Sequence, residues 1–175
     1  LILIAVEFAG PILAERLGSN GGQAQGTPWH PHHVAERNGL LFIITLGEGV
    51  VGTVTALSEA VATAGWSTQT VFVVIAGITI TFALWWAYFG VAWGDGLAAH
   101  PERGFEWGYG HIPLLGGVAA IGAGLHVIAY VLAGHAAIGP VAAVLSVVIP
   151  IGLVTITKLV LFNALFRTLD LFHGV

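Results

Sequence analysis

The sequence predicts an all-α protein, a polytopic bundle of transmembrane helices with residues 1–175 in a single domain. Two features of the composition support this prediction: 57% of the residues are hydrophobic and only 8% are charged, whereas about a quarter are charged in a soluble domain. The third observation is that several apolar runs exceed the roughly 20 residues that a spanning helix needs. None of them alternates as the strands of a membrane barrel do, so helices are predicted.

The apolar runs divide the chain into about five predicted spans, over residues 1–14, 34–57, 69–92, 109–133 and 140–166. The first run is short for a span and starts at the first residue, and the chain contains no Met. We therefore interpret the chain as a fragment of a longer protein. It contains no Cys either, which excludes disulfides and thiolate metal sites.

The distribution of Lys and Arg predicts how the spans are oriented. Connections 15–33 and 93–109 and the C-terminal tail carry basic residues, whereas the other two connections carry none. We therefore expect these three segments to be cytoplasmic in a multi-pass protein of the inner (plasma) membrane. Trp93 and Trp107 are expected in an aromatic belt at the same boundary. With five basic residues in the chain, no nucleic-acid-binding patch is predicted.

Glycines are frequent inside the second and fourth predicted spans. Helices in lipid associate through close packing of small residues, so these glycines predict tight helix contacts. A broken helix at a transport site is the alternative, and Pro150 is expected to kink the fifth span. The glycines are Gly47, Gly49, Gly52, Gly116, Gly117, Gly122 and Gly124.

Glu48 interrupts the apolar run of the second span, at a depth where an ionised carboxylate is costly. On a helix, Arg37 and Glu48 lie about 20° apart around the axis but roughly 16 Å apart along it, so they cannot pair with each other. Glu48 is therefore expected to be neutral, paired with another helix, or in contact with water. Thr45 lies about one turn away and is a candidate hydroxyl donor to it.

Four ionisable residues are candidates for a polar pathway with Glu48. Lys158 is the basic residue inside another span, although a lysine that reaches to the interface is the alternative interpretation. His111 and His126 share a broad face of the fourth span and, with the carboxylate, suggest a proton relay. A structural hydrogen bond is the alternative for each histidine. Glu7, in the first span, is a second candidate buried acid.

A cluster at the start of the second span resembles a metal site, because His32 and His33 share a helix face with Glu36. The pairs that typify helical zinc and di-iron sites, HExxH and a second ExxH, are absent. We therefore predict no metal and no cofactor, and keep His30 and these three residues only as metal candidates. In the alternative interpretation Glu36 lies at a helix N-terminus and Arg37 contacts headgroups.

The third span ends in the aromatic segment FALWWAYFGVAW, which contains Trp85, Trp86 and Tyr88. An interfacial belt explains these residues, and a pathway lined by aromatic rings is the alternative. Because Trp85 and Trp86 point in different directions, at least one of them is expected to face protein.

Three segments resemble the bacterial low temperature requirement A family. HHVAERNGLLFIITLGEG is similar to the family's pattern of a histidine, Glu-Arg and an apolar run that ends in Leu-Gly-Glu. WWAYFG resembles its paired tryptophans with Tyr-Phe, and YGHIPLLGG resembles its histidine–proline segment. The resemblance extends from about Glu7 to His126 and implies the C-terminal half of a longer polytopic membrane protein. The chain departs from the family at Gly90, where Asp is usual, and at Gly49, where Ser is frequent.

The resemblance implies a role in growth at low temperature or in a stress response, and no established reaction. From the residues, we expect a transporter- or channel-like protein with Glu48 in a polar pathway. The alternatives are a non-transporting membrane subunit or scaffold, and an intramembrane metal-dependent enzyme, which the absence of a GxSxG motif makes less favourable. The expected partners are the lipid bilayer, the rest of its own chain or other membrane helices, and, in a homo-oligomer, further copies of the chain.

Overall fold

The computed structural model describes residues 9, 10, 13, 29–135 and 137–166. The chain divides into two compact units, Leu1–His30 and Pro31–Val175, and nearly all of the described residues belong to the second. The predicted first span falls mostly outside the described residues, and so does Glu7.

The second unit is helical, and no strand occurs in the part of the chain that the structure describes. Its helices are α1 (Pro31–Ala64), α2 (Thr68–Phe89), α3 (Trp93–Ala99), α4 (Gly104–Leu132) and α5 (Pro140–Phe166), with a 3-10 turn at Pro101–Arg103 between α3 and α4. Within the described ranges, four helical segments are long and apolar enough to cross a membrane. They correspond to the second to fifth predicted spans, so the predicted fold class is confirmed.

Local sequence explains where the long helices end. Gly65 follows α1 with a φ of 70°, and Gly134 follows α4 with a φ of 73°, a left-handed conformation that glycine adopts at little cost. Ser67 then caps α2, because its side-chain oxygen accepts a hydrogen bond of 3.2 Å from the backbone N–H of Thr70. These turns reverse the chain between consecutive spans.

The predicted connection over residues 93–109 is largely helical, because it contains α3, the 3-10 turn and the first residues of α4. Its apolar side chains explain the difference: Trp93, Leu97 and Trp107 are 5%, 0% and 2% exposed. Burial of these side chains folds the segment onto the bundle. The two tryptophans therefore belong to the core and not to an exposed aromatic belt.

The spans pack in the order α2, α1, α4 and α5, with α1 and α4 in the middle. The short helix α3 packs mainly against α1, with fewer contacts to α5. Arg103 fixes this region further, since its guanidinium donates hydrogen bonds to the carbonyl oxygens of Ala164 and Leu165 near the end of α5. We call the end of the bundle where α1 begins and α2 ends the Asp95 end.

Glycines bring the backbones of the central helices into close contact, as predicted. A Cβ added to Gly52 would lie 2.7 Å from the carbonyl oxygen of Gly122, and one added to Gly122 would lie 2.8 Å from the carbonyl carbon of Glu48. Between α4 and α5, a Cβ on Gly124 would meet the carbonyl oxygen of Ser146 at 2.5 Å. The prediction does not hold for every glycine: a Cβ on Gly47 or Gly116 would meet nothing within 4 Å.

Helices α1 and α2 interlock through two reciprocal Gly–Thr pairs. A Cβ added to Gly49 would lie 2.9 Å from the hydroxyl of Thr81, and one added to Gly77 would clash with the side chain of Thr53. Each threonine hydroxyl donates to a carbonyl of its own helix, Thr53 to Gly49 at 2.7 Å and Thr81 to Gly77 at 2.9 Å. The hydroxyls are thus satisfied without water, which suits a contact inside a membrane.

Candidate functional site

A hydrogen bond between Tyr88 of α2 and His111 of α4 lies at the centre of a buried polar cluster. The Tyr88 hydroxyl lies 3.0 Å from His111 Nε2, and the residues are only 2% and 1% exposed. His111 Nδ1 lies 2.8 Å from the carbonyl oxygen of Trp107. A carbonyl only accepts hydrogen bonds, so Nδ1 carries the proton and, in a neutral ring, Nε2 accepts from Tyr88.

Aromatic rings hold this pair in place. Phe42 of α1 stacks on Tyr88, with ring centroids 4.0 Å apart and an interplanar angle of 11°. Trp107 packs on His111 at a centroid distance of 4.0 Å, and the indole N–H of Trp93 donates a 3.0 Å hydrogen bond to the carbonyl of Tyr88. The indole nitrogen of Trp107 is buried and makes no hydrogen bond among the described residues.

Lys158 of α5 lies beside this cluster and lines a cavity of about 80 Å³. It is 6% exposed, so its side chain is enclosed by the described helices. Tyr88, Leu114 and Thr155 contribute to the same cavity, which lies where α2 and α5 are held apart across α1 and α4. A buried lysine beside a cavity is a site where an anion, a proton or water can bind.

A larger groove of about 510 Å³ opens at the Asp95 end, between α1 and the turn that joins α2 to α3. Its polar lining consists of His32 and Glu36 from α1 and Asp95 from α3. His32 Nε2 lies 3.8 Å from the Asp95 carboxylate, which is a long ion pair when the histidine is protonated. Tyr88 lines this groove as well as the cavity.

The metal candidates are not assembled into a site. Within the described residues, no group of three or more His, Cys, Asp or Glu side chains lies close enough together to hold a metal ion. His30, His33 and Glu36 are exposed, and His32 faces Asp95 instead. The intramembrane metal enzyme therefore has no geometric support in the described part of the chain.

Glu48 lies away from the buried cluster. It is exposed on the surface of the described bundle, although its backbone packs against Gly122. Gly122 follows His111 by 11 positions, which corresponds to about 16 Å along α4. Glu48 is also about 120° around α1 from Phe42, a residue that lines the Lys158 cavity. Glu48 thus occupies another face and another depth.

The other predicted pathway residues are also dispersed. Thr45 donates its hydroxyl to the carbonyl of Leu41 at 2.8 Å, a bond within α1 that does not involve Glu48. Arg37 is exposed and His126 is half-buried. Since His126 follows His111 by 15 positions, the two imidazoles are separated by about 22 Å along α4. The structure therefore brings together Tyr88, His111 and Lys158, but not the whole predicted set.

The paired tryptophans of α2 lie at the surface of the described bundle, 40% exposed at Trp85 and 66% at Trp86. Trp85 lines an apolar groove of about 490 Å³ between α1 and α2 together with Leu46, Phe82 and other apolar residues. Of the three aromatic candidates in this segment, Tyr88 is the one that is buried.

Comparison with known protein families gives one match. The model of the bacterial low temperature requirement A protein (LtrA) family matches residues 1–175. The chain belongs to this family. No curated protein and no solved structure matches it significantly, so the LtrA assignment comes from the family model alone.

The three LtrA-like segments contact one another in the structure. The segment with Trp85, Trp86 and Tyr88 meets the segment with His111 through the Tyr88–His111 hydrogen bond. The HHVAERNGLLFIITLGEG segment contributes Phe42 to the same cluster, as well as His32 and Glu36 to the groove. The three segments that carry the family resemblance therefore meet in one region.

Sequence reasoning missed several residues of this region: Phe42, Trp93, Asp95, Trp107 and Thr155. One signal was available, since Trp107 and His111 are four residues apart and so share a helix face. Asp95 lies five positions after Gly90, and its approach to His32 depends on how α3 folds back. Phe42 and Thr155 carried no distinguishing local pattern.

Proposed function

We propose that this LtrA family protein is a membrane transporter or channel, and that its polar pathway passes through the Lys158 cavity beside Tyr88 and His111. We place it in the inner membrane with the Asp95 end in the cytoplasm, since the basic residues of the connections favour that orientation. The family's association with low temperature is compatible with such a role.

The observation that carries this proposal is the burial of Lys158 in a membrane-spanning helix beside a cavity. A charged side chain inside a membrane protein is costly and typically faces a bundle interior or a water-filled space where it contacts substrate or ion. Lys158 faces the bundle interior, because it is 6% exposed, and it lines a space of about 80 Å³. A lysine that is buried for structural reasons alone adds little to stability, because the cost of its desolvation offsets the interactions that it makes.

Glu48 is the candidate for a competing pathway on another face of α1, about 120° around the axis from Phe42. Its exposure on the described bundle makes it accessible to a partner helix or to water on that side. Glu48 and the Lys158 cavity lie at different depths and on different faces of the bundle. One substitution at each position therefore tests which of the two carries the ion flux. The two substitutions serve as matched controls for each other.

The experiment uses the purified chain in liposomes, with separate dyes for protons, chloride and sodium. Lys158→Met keeps the side-chain volume but removes the amine, and Glu48→Gln removes the carboxylate charge. We expect Lys158→Met to abolish the ion flux of the wild-type protein and Glu48→Gln to retain it. Both variants are checked for folding by thermal unfolding in detergent.

Two results contradict the proposal. If Glu48→Gln abolishes flux while Lys158→Met retains it, the pathway lies on the Glu48 face. If folded wild-type protein moves none of the three ions, the non-transporting subunit or scaffold becomes the better assignment.

A further inference from the structure

The groove at the Asp95 end and the Lys158 cavity share one wall. Tyr88 is the residue that lines both spaces, and it is almost completely buried. Its ring is fixed on one side by stacking on Phe42 and at its tip by the hydrogen bond to His111. The Tyr88 ring therefore lies between the groove and the cavity.

The two spaces differ in the ionisable groups that line them. The groove presents the carboxylates of Glu36 and Asp95 beside His32, and the exposed Arg37 is not among its lining residues. The cavity is lined by Lys158 together with Tyr88 and Thr155, whose hydroxyls are engaged with His111 Nε2 and with the carbonyl of Ile151. Carboxylates at the mouth repel anions, and none of the residues that line the cavity offers a metal cation a carboxylate ligand.

We infer that the species that moves between the groove and the cavity is a proton, carried by water, and that the Tyr88 ring is the partition it must pass. This inference rests on the proposed function, because it names the substrate of that pathway. A proton is compatible with both spaces, since carboxylates attract it at the mouth and an amine binds it covalently inside. A cavity of about 80 Å³ has room for several water molecules.

The proton transfer at Lys158 is simple. A hydrated proton reaches the neutral amine, one O–H bond of the hydronium ion breaks as an N–H bond forms, and a water molecule and an ammonium group result. Release to water on the other side reverses the step and restores the amine. No other reactant is needed.

His111 has a positioning role in this scheme. Its Nδ1–H is directed to the Trp107 carbonyl, so a proton accepted at Nε2 has no onward acceptor through the ring. The imidazole instead holds the Tyr88 hydroxyl, and with it the ring, between the groove and the cavity. Loss of this hydrogen bond is expected to loosen the partition.

The test compares fluxes of protons, chloride and sodium into liposomes that contain the full chain. We expect the wild-type protein to conduct protons but neither of the other ions. Tyr88→Phe keeps the ring but loses the bond to His111, and we expect proton flux to rise at least about twofold as the ring becomes mobile. Tyr88→Ala is expected to raise it further and to admit water more freely.

A matched pair of acids tests the entry route. Asp95→Asn removes a carboxylate from the groove, whereas Glu106→Gln removes an exposed carboxylate of α4 that does not line it. We expect proton flux to fall at least about twofold in Asp95→Asn, because a mouth of one charge sign concentrates its counter-ion, and to be unchanged in Glu106→Gln.

Failure of this inference is distinguishable from failure of the proposed function. Chloride or sodium flux that depends on Lys158 leaves the transport proposal intact and overturns the proton assignment. Unchanged or reduced proton flux in Tyr88→Phe, the variant expected to fold, overturns the partition. Absence of all three fluxes in the wild-type protein overturns both proposals.

Discussion

The helices pack differently in the two halves of the bundle. Near the Asp95 end, large rings of Phe42, Tyr88, Trp93 and Trp107 separate the helices. Farther along, glycines allow direct backbone contact, as between Gly52 and Gly122. The cavity and the groove both occur in the aromatic half. Rings hold the helices apart around these two spaces, whereas glycines bring the backbones of α1 and α4 into close contact.

The largest expected effect comes from removal of a ring in the aromatic half. Trp107→Ala should destabilise the protein by roughly 3–5 kcal/mol, because a fully buried indole leaves a cavity that the surrounding helices only partly fill. Thermal or denaturant unfolding in detergent measures the change. Trp86→Ala is the control, since Trp86 is 66% exposed; equal losses in both variants would contradict the assigned core.

A smaller effect is expected where a methyl group is added in the glycine half. Gly122→Ala places a Cβ 2.8 Å from the backbone of Glu48, so the helices must separate, at a cost of about 1–3 kcal/mol. Gly116→Ala is the matched substitution on the same helix and meets open space. It should leave stability unchanged or raise it by up to about 1 kcal/mol through helix propensity. Unfolding experiments should show a lower stability than the wild-type protein for Gly122→Ala and an equal or higher stability for Gly116→Ala.

The smallest effect tests the hydrogen bond inside the aromatic half. Tyr88→Phe keeps the stacked ring but leaves His111 Nε2 without its donor, at a cost of about 1 kcal/mol. Tyr130→Phe is the comparison, because Tyr130 is 46% exposed and should change little. If Tyr88→Phe were as stable as the wild-type protein, the hydrogen bond would not hold the ring in place.

Much of the fold was predictable because hydrophobic length decides which segments span a membrane. The fifth predicted span coincides with α5, and the second to fourth overlap α1, α2 and α4. The segment after α2 was not predicted as helix, since its stability depends on burial of Trp93, Leu97 and Trp107 against helices distant in sequence.

The candidate site was predictable only in part. Tyr88, His111 and Lys158 were recognised as candidates because polar side chains inside spans are few. The sequence does not show whether each residue faces the core or the lipid, because a helix in lipid is apolar on both sides. Glu48 and Lys158 therefore look equivalent in the sequence, yet the first is exposed and the second is 6% exposed.

The reciprocal Gly–Thr pairs have a consequence for biogenesis. The four residues of these pairs lie between Gly49 and Thr81, and Gly65 and Ser67 shape the turn between the two helices. This hairpin has its mutual contacts as soon as α2 has entered the bilayer, before α4 and α5 are synthesised. Helices α1 and α2 can therefore leave the translocon as a preassembled pair, onto which α4 docks through Gly52 and Gly122.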